Sequence, residues 1–473
     1  MSQQISEALR EAIDMRRKRY IALSDAVWDV PELLFEEFES ALLHAELLQE
    51  EGFQVTRGFA GMPTAVMGEA GTSGPIIAFL GEYDALPGLS QQAGYTHPCP
   101  VEPGGNGHGC GHNMLGAASL LAASVTRDWL AKNGLPGRVR YYGCPAEEGG
   151  SAKVFMVRDG YFDDVDIAIT WHPAGTTRVD CQNYLANISV NFSFSGRAAH
   201  AATTPHLGRS ALDAVELMNV GVNYLREHIP SDARIHYAII DSGGIAPNVV
   251  QAHAVVQYCI RARDLRQLNE LLERVRNVAR GAAQMTETSV VDEVLGTTSN
   301  MLANPSLQAL MYQHYQRLGP VPFDDEDRAF AALMQKTLTE NDIRLEFGRV
   351  GMRPQFDLPL CDFIVQNDPP GERVTGSTDV ADVSWKVPTV QGRVATHAMG
   401  TPPHSWQIVA QGKSGIAHKA VFYAAEIMAA TACDLFIHPV EISKAKADHR
   451  LALELDPYVC PMPSHIRPRV PQI

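Results

Sequence analysis

The sequence predicts an α/β protein in which a mixed-sheet domain is interrupted by a smaller α+β domain. The chain has 473 residues, and a single hydrophobic core stops growing at roughly 250–300 residues, so two domains are expected. Strand and helix patterns alternate over residues 1–185, which favours a layered α/β sheet. Over residues 186–297 the predicted order becomes β-α-β-β-α-β, the ferredoxin-like arrangement. Residues 298–473 return to the larger domain.

The first part of the larger domain is predicted from segments with clear periodicity. Its N-terminal 20 residues carry the pattern of one charged, amphipathic helix. The other predicted elements are helices at 36–51 and 115–130 and strands at 53–56, 76–80 and 138–144. Polar motifs follow two of these strands, and polar side chains at the strand ends of an α/β sheet often line a site.

The smaller domain is predicted from six elements. They are strands at 188–194, 235–240, 254–261 and 289–294 and helices at 211–227 and 265–284. In the second part of the larger domain, residues 320–375 are rich in Asp, Pro and Arg and lack clear periodicity. No element is predicted there.

Composition argues against several classes of function. The formal net charge is −15 and no run of Lys or Arg stands out, so nucleic acid is not expected as a partner. The N-terminus lacks the apolar core of a secretion signal, and no apolar run is expected to reach the roughly 20 residues that span a bilayer. The eight cysteines form no short-spaced framework, as in proteins of a reducing compartment. We therefore expect a cytoplasmic protein with no membrane partner.

Two short motifs contain the residue types of a metal site. In GHGCGHN, residues 107–113, a glycine-rich turn places Cys110 and His112 before a helix, and in PAEEGG the paired Glu147 and Glu148 follow a buried strand. Thiolate, imidazole and carboxylate groups are ligands of zinc and related divalent ions. Adjacent residues at a strand end point in different directions. One glutamate could therefore bind a cation while the other faces a substrate as a general base.

Two histidines extend this set. His172 ends an apolar strand in AITWHPAG, and His404 lies in the proline-flanked loop GTPPHSW. Each candidate alone has a structural alternative, because a lone histidine is most often hydrogen-bonded structure, Cys110 could be a buried thiol, and paired glutamates are usually solvated. Several ligand types together at the ends of strands and helices favour a hydrolase with a dinuclear metal site.

The chain resembles the dinuclear-metal aminoacylase and carboxypeptidase family of metallopeptidases, especially its amidohydrolase branch. The supporting stretches cover nearly the whole chain and are WDVPELLFEE, GEYDALPGLSQQAG, NGHGCGHNMLGAA, YYGCPAEEGGSAKVFMV, DDVDIAITWHP, AAHAATTPHLGRSALDAV, SGGIAPNVVQ, STDVADVSWKVP and GTPPHSWQIVAQGKSGIAHK. The resemblance implies a mixed-sheet catalytic domain with an inserted ferredoxin-like lid and dimerisation domain. It also implies two divalent ions, Zn or Mn, as cofactors. The implied metal ligands are Cys110, His112, Glu148, His172 and His404, with Glu147 as the catalytic base.

The resemblance also assigns residues of the inserted domain to the substrate. His200 is implied to reach the active site of a neighbouring protomer and polarise the substrate carbonyl, although His206 or Arg209 could share or replace it. Asn248 and Arg261 are implied to hold a substrate carboxylate, for which a guanidinium fork is well suited. Arg261 could instead pair with a surface acid.

Two positions depart from the pattern of the family. Glu82 stands where other branches have a histidine ligand, so Asp84 is expected to orient a ligand rather than to bind metal. Asn113 replaces an aspartate that usually follows the CGH motif, so tuning of the preceding histidine by charge is not expected. His108 and His418 adjoin motifs and are expected to be structural.

We expect hydrolysis of an amide that joins an acyl or aroyl group to an amino acid with a free carboxylate. The branch acts on aroyl-glutamates, N-acyl-amino acids, indole conjugates and dipeptides, and an aroyl-glutamate is the favoured substrate. Two alternatives remain open, a cysteine amidohydrolase that uses Cys110 with His112 and a non-catalytic protein that supports an active relative. The resemblance implies a homodimer through the inserted domain, or pairing with a related subunit.

Overall fold

The computed structural model describes residues 2–181, 184–366 and 376–471. The strands in these residues are β1 (Gln54–Arg57), β2 (Val66–Ala70), β3 (Ile76–Glu82), β4 (Arg138–Cys144), β5 (Ile167–Ala174), β6 (Arg178–Val179), β7 (Ala186–Ser195), β8 (Arg234–Asp241), β9 (His253–Ala262), β10 (Ser289–Thr298) and β11 (Thr389–Ala395). The α-helices are α1 (Ser2–Asp14), α2 (Arg17–Asp29), α3 (Phe38–Glu50), α4 (His112–Asn133), α5 (Ala152–Arg158), α6 (Ala211–Leu225), α7 (Leu265–Met285), α8 (Pro305–Leu318), α9 (Asp325–Gln335), α10 (Glu340–Arg349), α11 (Val380–Lys386), α12 (Trp406–Gln411), α13 (Gly415–Ile437) and α14 (Pro439–Leu455).

The larger sheet has seven strands in the order β1-β2-β4-β3-β5-β11-β6. Its centre is parallel, since β3 pairs with β4 and β5, and β5 pairs with β11, in parallel. β3 is buried along its whole length, as expected for a central parallel strand covered on both faces. Successive side chains point to opposite faces. Ile77 and Phe79 therefore enter one core, while Ala78 and Leu80 enter another.

Two long helices cover one face of this sheet. α4 packs on β3, β4 and β5, and α13 packs on α4. Among the described residues, α13 is long and apolar enough to cross a membrane, which corrects the expectation that no such run occurs. Its side chains are largely buried inside the protein, and α1, α8 and α14 pack against it. Apolarity on all sides is what a core helix of a large protein also requires.

Strands β7 to β10 form a second, antiparallel sheet in the order β10-β7-β9-β8. With α6 and α7 packed on it, this unit has the predicted β-α-β-β-α-β order and the ferredoxin-like strand order. Its hydrophobic core draws on residues between Ala186 and Val294 and is separate from the cores of the larger sheet. We refer to residues 186–297 as the inserted domain.

Two predictions of secondary structure need correction. The N-terminal segment forms two helices, α1 and α2, rather than one, and Arg16 between them pairs with Glu51 and Asp128. The segment 320–375 contains α9 and α10, each started by a capping box, at Asp324 and Thr339. These helices are short and largely polar, so periodicity does not reveal them. Residues 367–375 of that segment lie outside the described residues.

Candidate active site

Polar residues from three parallel strands meet at one edge of the large sheet. β3 ends at Glu82 and leads to Asp84, β4 leads to Glu147 and Glu148, and β5 contains His172. The carboxyl ends of parallel strands lie at the same edge of a sheet, where open α/β sheets bind their ligands. The motifs that the sequence places at strand ends therefore converge.

A cavity of about 640 Å³ lies between this edge and the inserted domain. Cys110 reaches it from the turn before α4, and His404 from the loop before α12. The predicted site residues that line the cavity are Cys110, Glu147, Glu148, His172, Arg261 and His404. His112 does not line it and is fully buried.

The ligand-type atoms lie within reach of common cations. Cys110 Sγ lies 3.5 Å from His172 Nε2, and His404 Nε2 lies 3.4 Å from Glu148 Oε2. Two groups share Cys110, one with His112 and His172 and one with Glu148 and His404, and within each the ligand atoms lie within 4.8 Å of one another. Two adjoining groups with a common member are an arrangement that can hold a pair of ions.

Asp84 orients His112, as the sequence predicts. Its Oδ1 lies 2.8 Å from His112 Nδ1, and its Oδ2 accepts the backbone N–H of Glu148 at 2.8 Å. His172 is held in a similar way, with its Nδ1 2.8 Å from the Pro173 carbonyl oxygen. The Nε2 atom of each ring is left for the cluster, which is how proteins present imidazoles to metals.

Several buried atoms of the cluster have no hydrogen-bond partner within the described part of the chain. They are His112 Nε2, Glu82 Oε2 and Glu148 Oε1, of which the first two lie 3.2 Å from each other without forming a hydrogen bond. Most buried polar atoms in proteins are satisfied, and an unpaired one costs about 1–3 kcal/mol. These atoms lie beside the Cys110 thiol and the imidazoles of His172 and His404. Such a set of atoms fits a site that binds divalent cations.

Strained backbone occurs at the same place. Ala146 and Ser151, which flank the glutamate pair, have φ of 52° and 55°, and His404 has φ of 54°. Side-chain-bearing residues rarely adopt this region, and they keep it only where the surrounding structure holds them. The His404 N–H donates to the Gly109 carbonyl oxygen at 3.1 Å. A Cβ at position 109 would overlap with Leu89 Cδ1, so a side chain there would have to displace Leu89 where the two loops meet.

Burial and neighbouring charge shift the ionisation of the cluster. Burial, and after it the Glu82 and Glu148 carboxylates, raise the pKa of Glu147 well above its usual range. Burial lowers the pKa of His172, which keeps its imidazole neutral. Burial and then the Glu148 carboxylate raise the pKa of the Cys110 thiol, whereas coordination to a divalent cation deprotonates a thiol. Added positive charge would therefore stabilise the charged forms of Glu147 and Cys110.

A buried ion cluster next to Glu147 is absent from the sequence prediction. Lys153 Nζ lies 2.6 Å from Glu82 Oε1 and 2.7 Å from Asp379 Oδ1, and all three side chains are buried. Burial opposes the charge on Lys153, but Asp379 and Glu82 outweigh it and raise the pKa of the amine. Glu82 also forms a close group with His112 and Glu147. The one signal in the sequence is a lysine at the start of the apolar helix α5.

The structure separates the residues predicted on the inserted domain. Arg261, in β9, lines the cavity and donates to Ser377 Oγ at 3.4 Å. His200 and Asn248 are not among the described residues that line it. They lie together elsewhere on the inserted domain, where the Ala201 N–H donates to the Asn248 carbonyl oxygen at 3.0 Å. A single chain thus brings Arg261, but neither His200 nor Asn248, to the candidate ligands.

Residues next to the motifs have partners outside the cluster. For His108 and His418 this agrees with the predicted structural roles. Asn113 also donates to a backbone carbonyl outside the cluster, and Arg209 is paired rather than directed at the cavity. The contacts are His108 Nε2 with Val27 O at 2.9 Å, His418 Nε2 with Asp25 Oδ1 at 2.9 Å, Asn113 Nδ2 with Gly412 O at 3.2 Å and Arg209 Nε with Glu287 Oε2 at 2.9 Å. His206 lies exposed in a short turn.

The fold and the cluster define a class, the metal-dependent hydrolases with a mixed sheet and an inserted ferredoxin-like domain. The chain belongs to peptidase family M20/M25/M40, whose family model matches residues 78–353, and it is therefore an enzyme that hydrolyses amide bonds. It is 46% identical to one of the subunits of p-aminobenzoyl-glutamate hydrolase from Escherichia coli (strain K12), over 98% of this chain and 99% of that protein. It is 27% identical to Xaa-Arg dipeptidase of Mus musculus, over 94% and 92% of the two chains.

Solved structures share the fold, which confirms the predicted α/β class. A dinuclear metal-binding peptidase of the M20 family from Bacillus subtilis matches with a TM-score of 0.57 at 18% identity, over 90% of this chain and 99% of that one. An aminobenzoyl-glutamate utilization protein from Klebsiella pneumoniae matches with a TM-score of 0.55 at 20% identity, over 87% and 98% of the two chains.

Proposed function

We propose that this protein hydrolyses N-aroyl- and N-acyl-amino acids, with p-aminobenzoyl-glutamate, cleaved to p-aminobenzoate and glutamate, as its main substrate. The observation that carries the proposal is the convergence of Cys110, Glu148 and His404 with Glu147 in one cavity. The 46% identity to one subunit of the p-aminobenzoyl-glutamate hydrolase of Escherichia coli, over nearly the full length of both chains, supports the proposal. The cavity of about 640 Å³ falls in the range of roughly 300–1,000 Å³ that is usual for small-molecule sites.

Five residues hold two divalent ions in this proposal. They are Cys110, His112, Glu148, His172 and His404. When bound, the ions polarise the amide carbonyl and acidify a water molecule. A thiol favours zinc, while the imidazoles and the carboxylate also admit manganese. We therefore propose Zn or Mn as the native metal.

Glu147 is the general base of the proposed reaction. It lines the cavity and is not needed as a ligand, because the other five residues suffice for that role. Its carboxylate accepts a proton from the attacking water and passes the proton to the nitrogen of the leaving amine. Proton transfer of this kind requires only that Glu147 reaches both atoms in turn.

Arg261 binds the α-carboxylate of the leaving amino acid. It lines the cavity from the side of the inserted domain, and among the described residues its side chain donates to the Ser377 hydroxyl rather than to a carboxylate. A guanidinium can pair with both oxygens of a carboxylate. In this proposal Arg261 thereby holds the amide that is cleaved within reach of Glu147.

Two chains joined through their inserted domains complete the site. β8 is an edge strand of the smaller sheet and exposes Tyr237, Ile239 and Ile240, and apolar sheet edges are rarely left uncovered. In such a dimer His200 and Asn248 enter the cavity of the partner chain, where His200 stabilises the developing oxyanion and Asn248 contacts the carboxylate. A related chain could replace the second copy, since this protein is also 30% identical, over 52% of its length, to a second subunit of the p-aminobenzoyl-glutamate hydrolase of E. coli.

The protein is also proposed to work on a small molecule in a reducing cytoplasm. Its eight cysteines form no disulfide among the described residues, as is usual in such a compartment. Its net charge of −15 does not suit nucleic acid.

The test is metal-dependent cleavage by the purified full-length protein. The protein is stripped with a chelator, reloaded with Zn or Mn, and assayed with p-aminobenzoyl-glutamate, N-acyl-amino acids and dipeptides. We expect turnover to disappear and return with metal, and p-aminobenzoyl-glutamate to have the highest kcat/KM. Turnover that survives exhaustive chelation would favour Cys110 as a nucleophile. A metal-loaded protein that cleaves nothing until a related chain is added would point to a supporting, non-catalytic role.

A further inference from the structure

One wall of the cavity contains arginines that the proposed reaction does not use. β5, β11 and β6 lie side by side, and their register places His172 opposite Arg393 and Arg393 opposite Arg178. All three residues line the cavity. Neighbouring strands are about 4.8 Å apart, so the backbone of Arg178 lies two strand spacings, or roughly 10 Å, from that of His172.

Arg178 is a buried cation without a paired carboxylate among the described residues. Only 5% of its surface is exposed, and its side chain donates to the Thr176 hydroxyl. The Arg393 guanidinium, by contrast, has its Nε 2.7 Å from Asp180 Oδ2. Like charges opposite one another on neighbouring strands repel, and burial together with Arg393 lowers the pKa of Arg178. The Asp180 and Glu346 carboxylates oppose that lowering in part, but neither forms an ion pair with Arg178 among the described residues. A buried charge without an ion-pair partner is strongly unfavourable, so a bound anion would stabilise Arg178.

The other charges of this wall are already paired. Arg349 lies 3.5 Å from Glu346, and Arg393 is paired with Asp180. Among the described residues of this wall, Arg178 is an arginine whose guanidinium forms no ion pair. Since Arg261 lines the same cavity from the inserted domain, the cavity presents two separate positions for anions, one on each domain.

We propose that Arg178, supported by Arg393, binds the side-chain carboxylate of an acidic amino acid in the leaving group. The inference rests on the proposed function and specifies its substrate class, N-acyl conjugates of glutamate or aspartate, whose α-carboxylate pairs with Arg261. A conjugate of glutamine leaves the buried guanidinium without its anion, which sites of this kind reject strongly. A conjugate of arginine places two cations together, so the wall also excludes the leaving group of a Xaa-Arg dipeptidase.

The experiment compares N-benzoyl-glutamate, N-benzoyl-glutamine and N-benzoyl-arginine with the metal-loaded, full-length protein. We expect wild type to prefer the glutamate conjugate at least about tenfold in kcat/KM. Arg178→Met should lower kcat/KM for that conjugate about tenfold to a hundredfold, the usual effect of losing a hydrogen bond to a charged group, and leave the glutamine conjugate nearly unchanged. Arg178→Lys should restore part of the preference. The control is Arg344→Met, since Arg344 is exposed on α10 and does not line the cavity.

A separate binding measurement distinguishes failure of this subsite from failure of the proposed reaction. Calorimetric titration of the metal-loaded protein with the glutamate and glutamine conjugates measures the affinity for each. The two affinities test the Arg178 subsite even if neither conjugate is cleaved. Tighter binding of the glutamate conjugate by wild type, lost in Arg178→Met, supports the inference. Equal affinities in wild type, or an equal loss for both conjugates in Arg178→Met, overturn it. If Arg178→Met does not fold, the ratio of the affinities for the glutamate and glutamine conjugates is compared between wild type and Arg178→Lys. An unchanged ratio then overturns the inference, and a reduced ratio supports it.

Discussion

Asp84 contacts His112 through one carboxylate oxygen and accepts the backbone N–H of Glu148 through the other, in both cases at 2.8 Å. One fully buried side chain thus positions an imidazole at the start of α4 and a glutamate that follows β4. Burial raises the pKa of Asp84, but His112, the backbone N–H of Glu148 and Lys153 together outweigh burial and lower it. The ionised carboxylate is the form that can accept both hydrogen bonds.

Asp84→Asn should weaken metal binding about 10- to 100-fold, because residues that orient metal-bound histidines typically have effects of that size. The measurement is competition for Zn with a chelator of known affinity. Asp25→Asn is a matched control, since Asp25 contacts His418 at 2.9 Å outside the site, and it should leave metal affinity unchanged. An unchanged affinity in Asp84→Asn would show that Asp84 is not needed to orient the ligand.

The two adjacent glutamates should separate metal binding from proton transfer. Glu147→Gln is expected to keep its metal content and to lose about 10²- to 10⁴-fold in kcat, the usual contribution of a general base. Glu148→Gln is expected to lose metal. Metal analysis and steady-state kinetics on the same samples check both outcomes. Loss of metal from Glu147→Gln would instead make Glu147 a ligand.

Lys153→Met should destabilise the fold by about 3–5 kcal/mol, because it leaves the buried carboxylates of Glu82 and Asp379 without their cation. The free energy of unfolding in urea measures the effect, and adding Asp379→Asn should recover part of it by removing one carboxylate. The control is Lys413→Met, whose partner Asp29 is largely exposed and whose loss should cost about 0–1 kcal/mol. Equal effects of the two lysine substitutions would contradict the role of Lys153.

His44 should contribute a loss of stability at acid pH. Burial lowers its pKa to about 4, below the value of about 6.5 in an unfolded chain. The unfolded chain therefore binds the proton first, and stability falls as the pH falls from 6.5 towards 4. At pH 5 this amounts to about 2 kcal/mol relative to pH 7.5. His44→Phe should lack that part of the loss in urea unfolding at the two pH values; identical losses would refute the assignment.

Dimerisation through β8 should be required for turnover. Ile239→Lys combined with Ile240→Lys is expected to give monomers by sedimentation and to lower kcat although the cavity is untouched. Leu333→Lys is the control, because Leu333 is exposed on α9 outside the inserted domain. The Leu333→Lys protein should stay dimeric.

Mixing two inactive variants tests the shared site directly. His200→Ala keeps Glu147, and Glu147→Gln keeps His200, so a mixed dimer contains one complete site and should regain turnover. If the mixture stays inactive while mixed dimers form, His200 acts within its own chain or not at all.

The sequence by itself determined the elements and motifs that depend on local pattern. The strand at Arg138–Cys144 and the six elements of the inserted domain follow from periodicity, because each buried face repeats along its own segment. The candidate ligands Cys110, Glu148 and His172 could be predicted for the same reason, since each lies near the start or end of a predicted strand or helix. The helices α9 and α10 were not predicted, because each buries only a few apolar residues, Ala331 and Met334 in α9 and Ile343 and Phe347 in α10, within a short and largely polar segment.

Only the tertiary structure decided which distant residues share a charge or a cavity. Lys153 meets Glu82 and Asp379 across 71 and 226 positions of sequence, and Arg178 meets Arg393 because β6 and β11 pair in one register. Pairings of this kind depend on strand order and burial, which no local pattern specifies. For the same reason the placement of Arg261 in the cavity, and of His200 and Asn248 away from it, could be seen only once the inserted domain was set against the larger sheet.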